Sequence, residues 1–461
     1  MSKKRIALLN HTIHKFTYGG VPAQIVVLET DAAITPEDVA MLQALHSRSV
    51  GGIEEHLNTL VKHGSGKLMD IFYVGYGHKS IGDCGHITIF FEGVSMLVAK
   101  AIQDWSLYSG QESSTRYIDF AKQPFVDPVG SDYSQCVLER LRTFYLDGLE
   151  PVQEMFRTHY PYQNDWDQTS YEKTILARTF DVMRGFLPAG ASTNLSWSSN
   201  LRQVADKLML LRHHPLEEVR NIADALQDAL MKHFPNSFGH KRYEKTEEYN
   251  KWWMSTKYYN TSKTTPDFRT CRNSIDEELL VGYYAEALKN RPPKTELPRE
   301  IAECGTVQHE FLLDFASYRD IQRHRAIKQR MPLVTTHYGI HPWYMQNISV
   351  ENRKFSIEAS CIRDQWESVI CKITDSDFEK QYYIPMGFMV PNRVTGDLHA
   401  LTYLIELRAT RFVHPTLRQR AFQLAQSLEE MFGKHGLKLY LDENPDAFDV
   451  KRGKQDIVEK K

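Results

Sequence analysis

The sequence lacks any Gly-x-Gly-x-x-Gly after an apolar run, which removes the phosphate-cradling turn of a doubly wound nucleotide fold. Cysteine is sparse: six in 461 residues, at 84, 136, 271, 304, 361 and 371, with no Cys-x-x-Cys. That spacing excludes a zinc ribbon and a disulfide-stapled secreted domain, and implies reduced thiols in a cytoplasmic enzyme. Long apolar runs are missing too. The N-terminal MSKKRIALLNHT is too short in apolar length for a signal peptide, and the segment 86–102 is interrupted by His86, Glu92 and Lys100, so it reads as a core element and not a membrane span. His11-x-x-His14 and His213-His214 have no carboxylate or third histidine at ligand spacing, so no metal site is expected. Nor is there a charge excess. Lys plus Arg number 56 against 58 Asp plus Glu, a net charge of -2, which gives neither nucleic acid nor a membrane surface an electrostatic claim as main partner.

What is present is ordinary globular material, 42% hydrophobic and 25% charged, arranged as alternating short strands and long helices. Lys4–Asn10 and Gln24–Glu29 are aliphatic runs bounded by turn residues, and His86–Glu92 (HITIFFE) is rich in β-branched and aromatic residues; all three read as strands. Thr35-Pro36 reads as an N-cap followed by Pro at the first helical position. Apolar residues at three- and four-residue spacing predict a helix pair over 133–160, helices over 169–184, 200–211 and 216–234, and later ones over 350–373, up to 408, and up to 432. The stretch 236–295 reads as a partly ordered connector whose Trp252 and Trp253 pack across an interface, and the tail from Asp442 as frayed or disordered.

The halves repeat. Asp83-Cys84-Gly85 and Glu303-Cys304-Gly305 each open a Phe-containing apolar segment that ends in Ile-Gln, followed by Asp104-Trp105-Ser106 in the first copy and Arg323-His324-Arg325 in the second. The first copy alone continues into Ser109-x-x-Glu112-x-Ser114-x-Arg116-Tyr117. Downstream, Pro188 to Arg212 spans 24 positions and Pro385 to Arg408 spans 23, and each arginine follows a leucine and precedes a His-Pro pair. Glu112, Ser114 and Arg116 at i, i+2 and i+4 share one face if the segment is extended. The plain alternative is a polar loop closed by a Ser-type turn.

Arg-His-Arg followed at fixed offsets by Ser, Glu, Ser and Arg-Tyr resembles the signature of the flavin-dependent thymidylate synthases, the ThyX family, here split between two copies. The resemblance implies an α/β fold of the α+β type: two ThyX-like domains, each a small sheet with long helices, at 1–235 and 296–440, joined by the connector 236–295 and followed by the tail 441–461. It implies reductive methylation of dUMP to dTMP, with FAD as cofactor and NADPH and methylenetetrahydrofolate as co-substrates. Glu112, Ser114, Arg116, Arg184 and Arg408 correspond to nucleotide-binding positions, and Arg212 to the arginine opposite the pyrimidine. Ser80, Asn200, Arg202, Arg323, His324 and Arg325 correspond to flavin-binding positions; His78, in Gly77-His78-Lys79-Ser80, stands near a family histidine. The chain has no Pro-Cys dipeptide, the usual nucleophile setting of folate-only thymidylate synthases.

In the second copy Asn-x-Arg becomes Asp397-Leu398-His399, and in the first the basic triplet is gone. Each copy therefore holds half a site. The expectation is a composite site drawn from both, and a homodimer that rebuilds a pseudo-tetramer. A related enzyme acting on another pyrimidine nucleotide, or a non-catalytic binding homologue, fits the same residues.

Overall fold

The computed structural model describes residues 11–28, 35–48, 53–66, 79–239, 241–259, 265–348, 353–442, 444 and 448–451. The strand expected over Lys4–Asn10 and the histidine at 78 lie outside them. The chain divides into two spatial units: unit one is 1–113, 126–128 and 192–258, and unit two is 114–125, 129–191 and 259–461. The spatial units thus cut across the sequence repeats.

Unit one carries β1 (His11–Tyr18), β2 (Val21–Leu28), β3 (His86–Ser95) and β4 (Ser192–Asn200), antiparallel in that order. Alternation drives β3: Ile87, Ile89 and Phe91 are fully buried while their neighbours are more open, as expected of a half-buried pleated strand. A bulge between Phe91 and Val94 contains Gly93, at φ +71°, where a Cβ would stand 2.3 Å from the Pro22 carbonyl oxygen. Only glycine fits there. The helix Pro36–Arg48 starts as expected, with the Thr35 hydroxyl accepting from the Asp38 amide and the Asp38 carboxylate accepting in return from the Thr35 amide at 2.8 Å.

Unit two holds the second sheet, β5 (Phe268–Asn273), β6 (Val307–Asp314), β7 (Lys328–Arg330) and β8 (Met389–Gly396), in the order β5-β6-β8-β7. Around it run helices from both halves of the sequence. The helix pair expected over 133–160 is one helix, Asp132–His159, with Pro151 inside it. Proline removes one intrahelical hydrogen bond, but a buried apolar face on both sides of the break carries the helix through.

The repeat survives as structure. In each unit the strand opened by Cys-Gly (β3, β6) pairs with the strand leading into a downstream helix (β4, β8). The helices that follow β3 and β6, Met96–Gln103 and Phe315–Ile321, are capped by Ser95 and Asp314. Those that follow β4 and β8, Leu201–Leu211 and Leu398–Arg408, are capped by Asn200 and Asp397.

Within unit two, matching segments of the two copies also meet. Ala189 donates to Ile384 and Met386 to Leu187, both at 2.8 Å; Gly190 donates to Tyr382 at 3.0 Å and Gly387 to Gly185 at 2.7 Å. The helices Asp132–His159 and Arg353–Ile370 stack Phe144 on Phe355 at 4.4 Å and join Arg140 to Glu358. Such a ring pair adds about 0.5–1.5 kcal/mol beyond its buried area.

The connector is more regular than expected. It forms the helix Glu244–Tyr259, strand β5 and the helix Glu277–Asn290, and Trp252 and Trp253 are 55% and 41% exposed instead of packed away. The tail is tied at two points: Arg411 reaches the Asp442 carboxylate, and Phe448 stacks on Tyr160 at 4.4 Å. No helix among the described residues is long and apolar enough to cross a membrane.

Candidate functional site

In unit two, the helix Gln168–Met183 ends on an Asp-x-x-Arg pair. Asp181 lies on its last turn and Arg184 caps its end, so both belong to one helix edge. Asp181 is buried and accepts from Arg116 Nη2 at 3.2 Å. Arg184 is also buried, and its Nε and Nη2 have no hydrogen-bond partner among the described residues. Burial would push this guanidinium down, but Asp181, Tyr344, Asp320 and Asp314 outweigh it and hold the group charged above its usual range. A buried guanidinium with idle N–H groups has hydrogen-bonding capacity to spare, while the acids around it already compensate its charge.

Asp320 opens the second Asp-x-x-Arg, three residues before Arg323. Burial works against its charge, yet Arg184, Arg323, Arg408 and Arg319 keep its carboxyl below the usual range. Arg184 of the first copy and Arg323 of the second therefore act on one carboxylate. Along the triplet the side chains diverge: Arg323 and Arg325 are exposed, and His324 is buried. Arg408 donates through Nε to His324 Nε2 at 2.8 Å and through Nη2 to the Asp320 carbonyl at 2.7 Å. Burial first, and then Arg408, push His324 down to about 3, so it is a neutral acceptor.

The extended face expected for Glu112, Ser114 and Arg116 is not formed. Ser114 to Tyr117 closes a turn in which Tyr117 donates to the Ser114 carbonyl and the Arg116 amide to the Ser114 hydroxyl, so the Ser-type turn wins locally. Glu112 falls in unit one, bridged to Leu195 and accepting from the buried Gln103 Nε2 at 2.7 Å.

The remaining predicted residues lie in unit one. Asn200 uses its side chain as a helix cap toward Gln203, and Arg202 pairs with Asp83 at 2.8 Å. Ser80 is exposed in a short 3-10 turn. Arg212 is clamped by Glu247, its Nε and Nη2 each meeting one carboxylate oxygen, at 2.8 and 2.5 Å. Where the second copy has Arg323, the first has Asp104. That acid is half-buried, and desolvation would raise it, but Lys257, Lys100 and Lys207 hold it well below the carboxylate range.

Sequence reasoning missed the acids. Asp181 and Asp320 each stand three residues before a predicted arginine, a repeated spacing that was available as a signal. Glu247 carried none, since it lies in the connector.

Of the groups the resemblance implies, a flavin pyrophosphate matches the charge of the exposed Arg323 and Arg325, although Arg323 also lies 3.9 Å from Asp320. It does not fit the side chains of His324, which accepts from Arg408, and Asn200, which caps its helix.

Residues 33–236 match the family model Thy1, thymidylate synthase complementing protein. The chain is similar to a UPF0159 protein of Chlamydia muridarum, 26% identical over 409 residues, covering 77% of this chain and 76% of that protein. A UPF0159 protein of Thermoplasma acidophilum is 22% identical over 444 residues, covering 80% and 88% respectively. Among solved structures, a UMP/dUMP methylase, PolB from Streptomyces cacaoi bound with 5-Br dUMP, is 15% identical with a TM-score of 0.31, covering 50% of this chain and 94% of that one. Thymidylate Synthase X of Helicobacter pylori, with FAD and dUMP, is 18% identical with a TM-score of 0.27, covering 46% and 96%.

Proposed function

We propose that the chain is a tandem ThyX-type enzyme that methylates dUMP, with one kind of nucleotide site built on unit two from residues of both copies. The observation that carries this reading is Arg184: a buried guanidinium with idle N–H groups, beside Asp181 and its partner Arg116, and sharing Asp320 with Arg323 and Arg408. A nucleotide 5′-phosphate answers that arrangement. Arg184 and Arg116 would take it through charge-assisted hydrogen bonds, with the Ser114 turn setting the approach of Arg116. Asp181 and Asp320 keep the arginines charged and aimed before the ligand arrives.

Arg323 and Arg325 would hold the flavin pyrophosphate. A flavin held there would supply hydride chemistry, with NADPH as its reductant and methylenetetrahydrofolate as the carbon source. The pyrimidine C5 would act as the nucleophile toward the one-carbon unit and later lose its proton. No cysteine nucleophile is needed for that step.

The test is tritium release from dUMP labelled at C5, with and without methylenetetrahydrofolate, by purified protein supplied with FAD and NADPH. Folate-dependent release supports the reading. Release from UMP in place of dUMP would move the substrate to the ribonucleotide, and failure to bind either nucleotide would sink the proposal.

A further inference from the structure

Within unit two, the turn between the helices Asp132–His159 and Gln168–Met183 builds a cage of three rings. Tyr171 donates from its hydroxyl to the Tyr160 carbonyl at 2.8 Å, and Tyr162 donates to the Trp166 carbonyl at 2.7 Å. Both bonds are internal to the turn and the helix that follows it, so the walls are set by local structure. The guest comes from the far end of the sequence. Phe448 stacks on Tyr160 at 4.4 Å, tilts against Trp166 at 5.6 Å and meets Tyr171 edge-on at 6.2 Å.

Arg178 stands against the same rings, with Cζ 5.2 Å from the Tyr160 centre and 5.8 Å from that of Phe448. It is only 8% exposed, and its Nε and Nη2 have no hydrogen-bond partner among the described residues. A ring face attracts a cation, but a buried N–H without an acceptor still costs free energy. Phe448 therefore fills the space and leaves the guanidinium unsatisfied. The segment that brings it is tied near Arg418, which donates to the Asp442 and Asn444 carbonyls at 2.6 and 2.8 Å. Further along, the polar ties weaken. The single hydrogen of the Thr174 hydroxyl is 2.7 Å from the Ser170 carbonyl, and the Val450 carbonyl is its longer contact at 3.3 Å. Arg411 meets Asp449 at 3.6 Å with a third of its side chain open to water, and such ion pairs hold little.

We propose that this cage is a binding site for an aromatic anion, a planar ring bearing an oxyanion at its edge, and that Phe448 is a tethered plug which such a ligand displaces. The ligand's ring takes the place of the Phe448 phenyl on Tyr160, and its oxygens accept from Nε and Nη2 of Arg178, the edge of the fork that meets two oxygens side by side. A plug on the same chain competes at high effective concentration. The site is thus closed to a ring or an anion alone, and opens to a ligand that satisfies both. It is separate from the nucleotide site at Arg184 and does not depend on it.

The experiment titrates the full chain with phenyl phosphate, inorganic phosphate and phenol by calorimetry, in the parent, in Phe448→Ala and in Phe448→Ala with Arg178→Met. Phe448→Ala is expected to bind phenyl phosphate about tenfold tighter than the parent, because the competing ring is gone, and to bind phosphate or phenol at least about tenfold more weakly than phenyl phosphate. Adding Arg178→Met is expected to abolish the gain. Phenyl phosphate that settles at Arg184 does so equally in all three proteins and cancels in the ratio. Phe448→Leu keeps apolar bulk without a flat ring, so it replaces Phe448→Ala if that variant melts far below the parent, and a gain of at least about threefold is required of it. Equal affinity in the parent and the unplugged variant overturns the plug, and a gain that survives Arg178→Met overturns the anion site. Inorganic phosphate bound as tightly as phenyl phosphate overturns the role of the rings.

Discussion

Pro188 and Pro385 face each other across an antiparallel bridge in unit two, and the backbone bonds on either side are reciprocal. Each proline follows an aliphatic residue after a one-turn helix, Arg184–Phe186 in one case and Gln381–Tyr383 in the other. Contact between like positions is what a two-fold interface between identical subunits produces. Here both sides belong to one chain.

That pairing is tight at Gly185, where an added Cβ would come within 2.4 Å of the Tyr344 ring. Tyr344 is fully buried, with its hydroxyl donating to Asp314 at 2.8 Å, so it has no room to yield. Gly185→Val is expected to destabilise unit two by roughly 1–3 kcal/mol, visible as a lower midpoint in thermal or urea melts. A midpoint equal to the parent would show that the segments are loosely joined.

Arg116→Ala is expected to weaken dUMP binding by about 10- to 100-fold, the range of a lost charge-assisted contact, while bound flavin is retained. Arg184→Lys keeps the charge among the acids but loses the fork, and should cost about tenfold in affinity. Calorimetry and the flavin absorbance of the purified protein read the two effects separately. Loss of flavin with dUMP binding intact would reverse the assignment of the two halves.

Only the second copy carries exposed cations at its triplet, so flavin should bind at no more than one per chain. Absorbance of denatured holoprotein against chain concentration measures this. Two per chain would contradict the composite site.

Several histidines of unit two are buried and neutral. Burial pushes His309 and His414 to about 4 and His324 to about 3, against 6.5 for the free side chain. A depressed histidine makes the unfolded chain bind more protons than the folded one between those values. Its contribution to stability is therefore complete above pH ~6.5 and is lost as pH falls toward ~4. The thermal midpoint should drop from pH 7.5 to pH 5, and His309→Gln should make that drop shallower. An unchanged slope in the variant would remove His309 from the account.

Much of the fold was legible because periodicity and capping are local. The Thr35 cap, β3, and the helix ending before Leu187-Pro188 stand where the residue pattern puts them. β5 escaped because FRTCRN is polar and mostly exposed; it is a strand only through its pairing with β6. The helix pair expected over 133–160 is one helix, because the penalty of Pro151 is local and packing overrides it. At the site, the arginines were legible as types at fixed offsets. Their partners Asp181 and Asp320 were not, since which acid meets which cation is settled by the tertiary fold.

The helices Asp132–His159 and Gln168–Met183 come from the first half of the sequence but are built into unit two with strands and helices of the second. Cutting the gene at the repeat boundary would therefore not release two self-sufficient proteins. Expressed apart, the piece ending near residue 235 would carry helices whose apolar faces await the other fragment, and the later piece would lack the wall that Phe355 and Pro385 rest on. The halves should behave as a split protein, each insoluble or unfolded alone and recovered only when produced together.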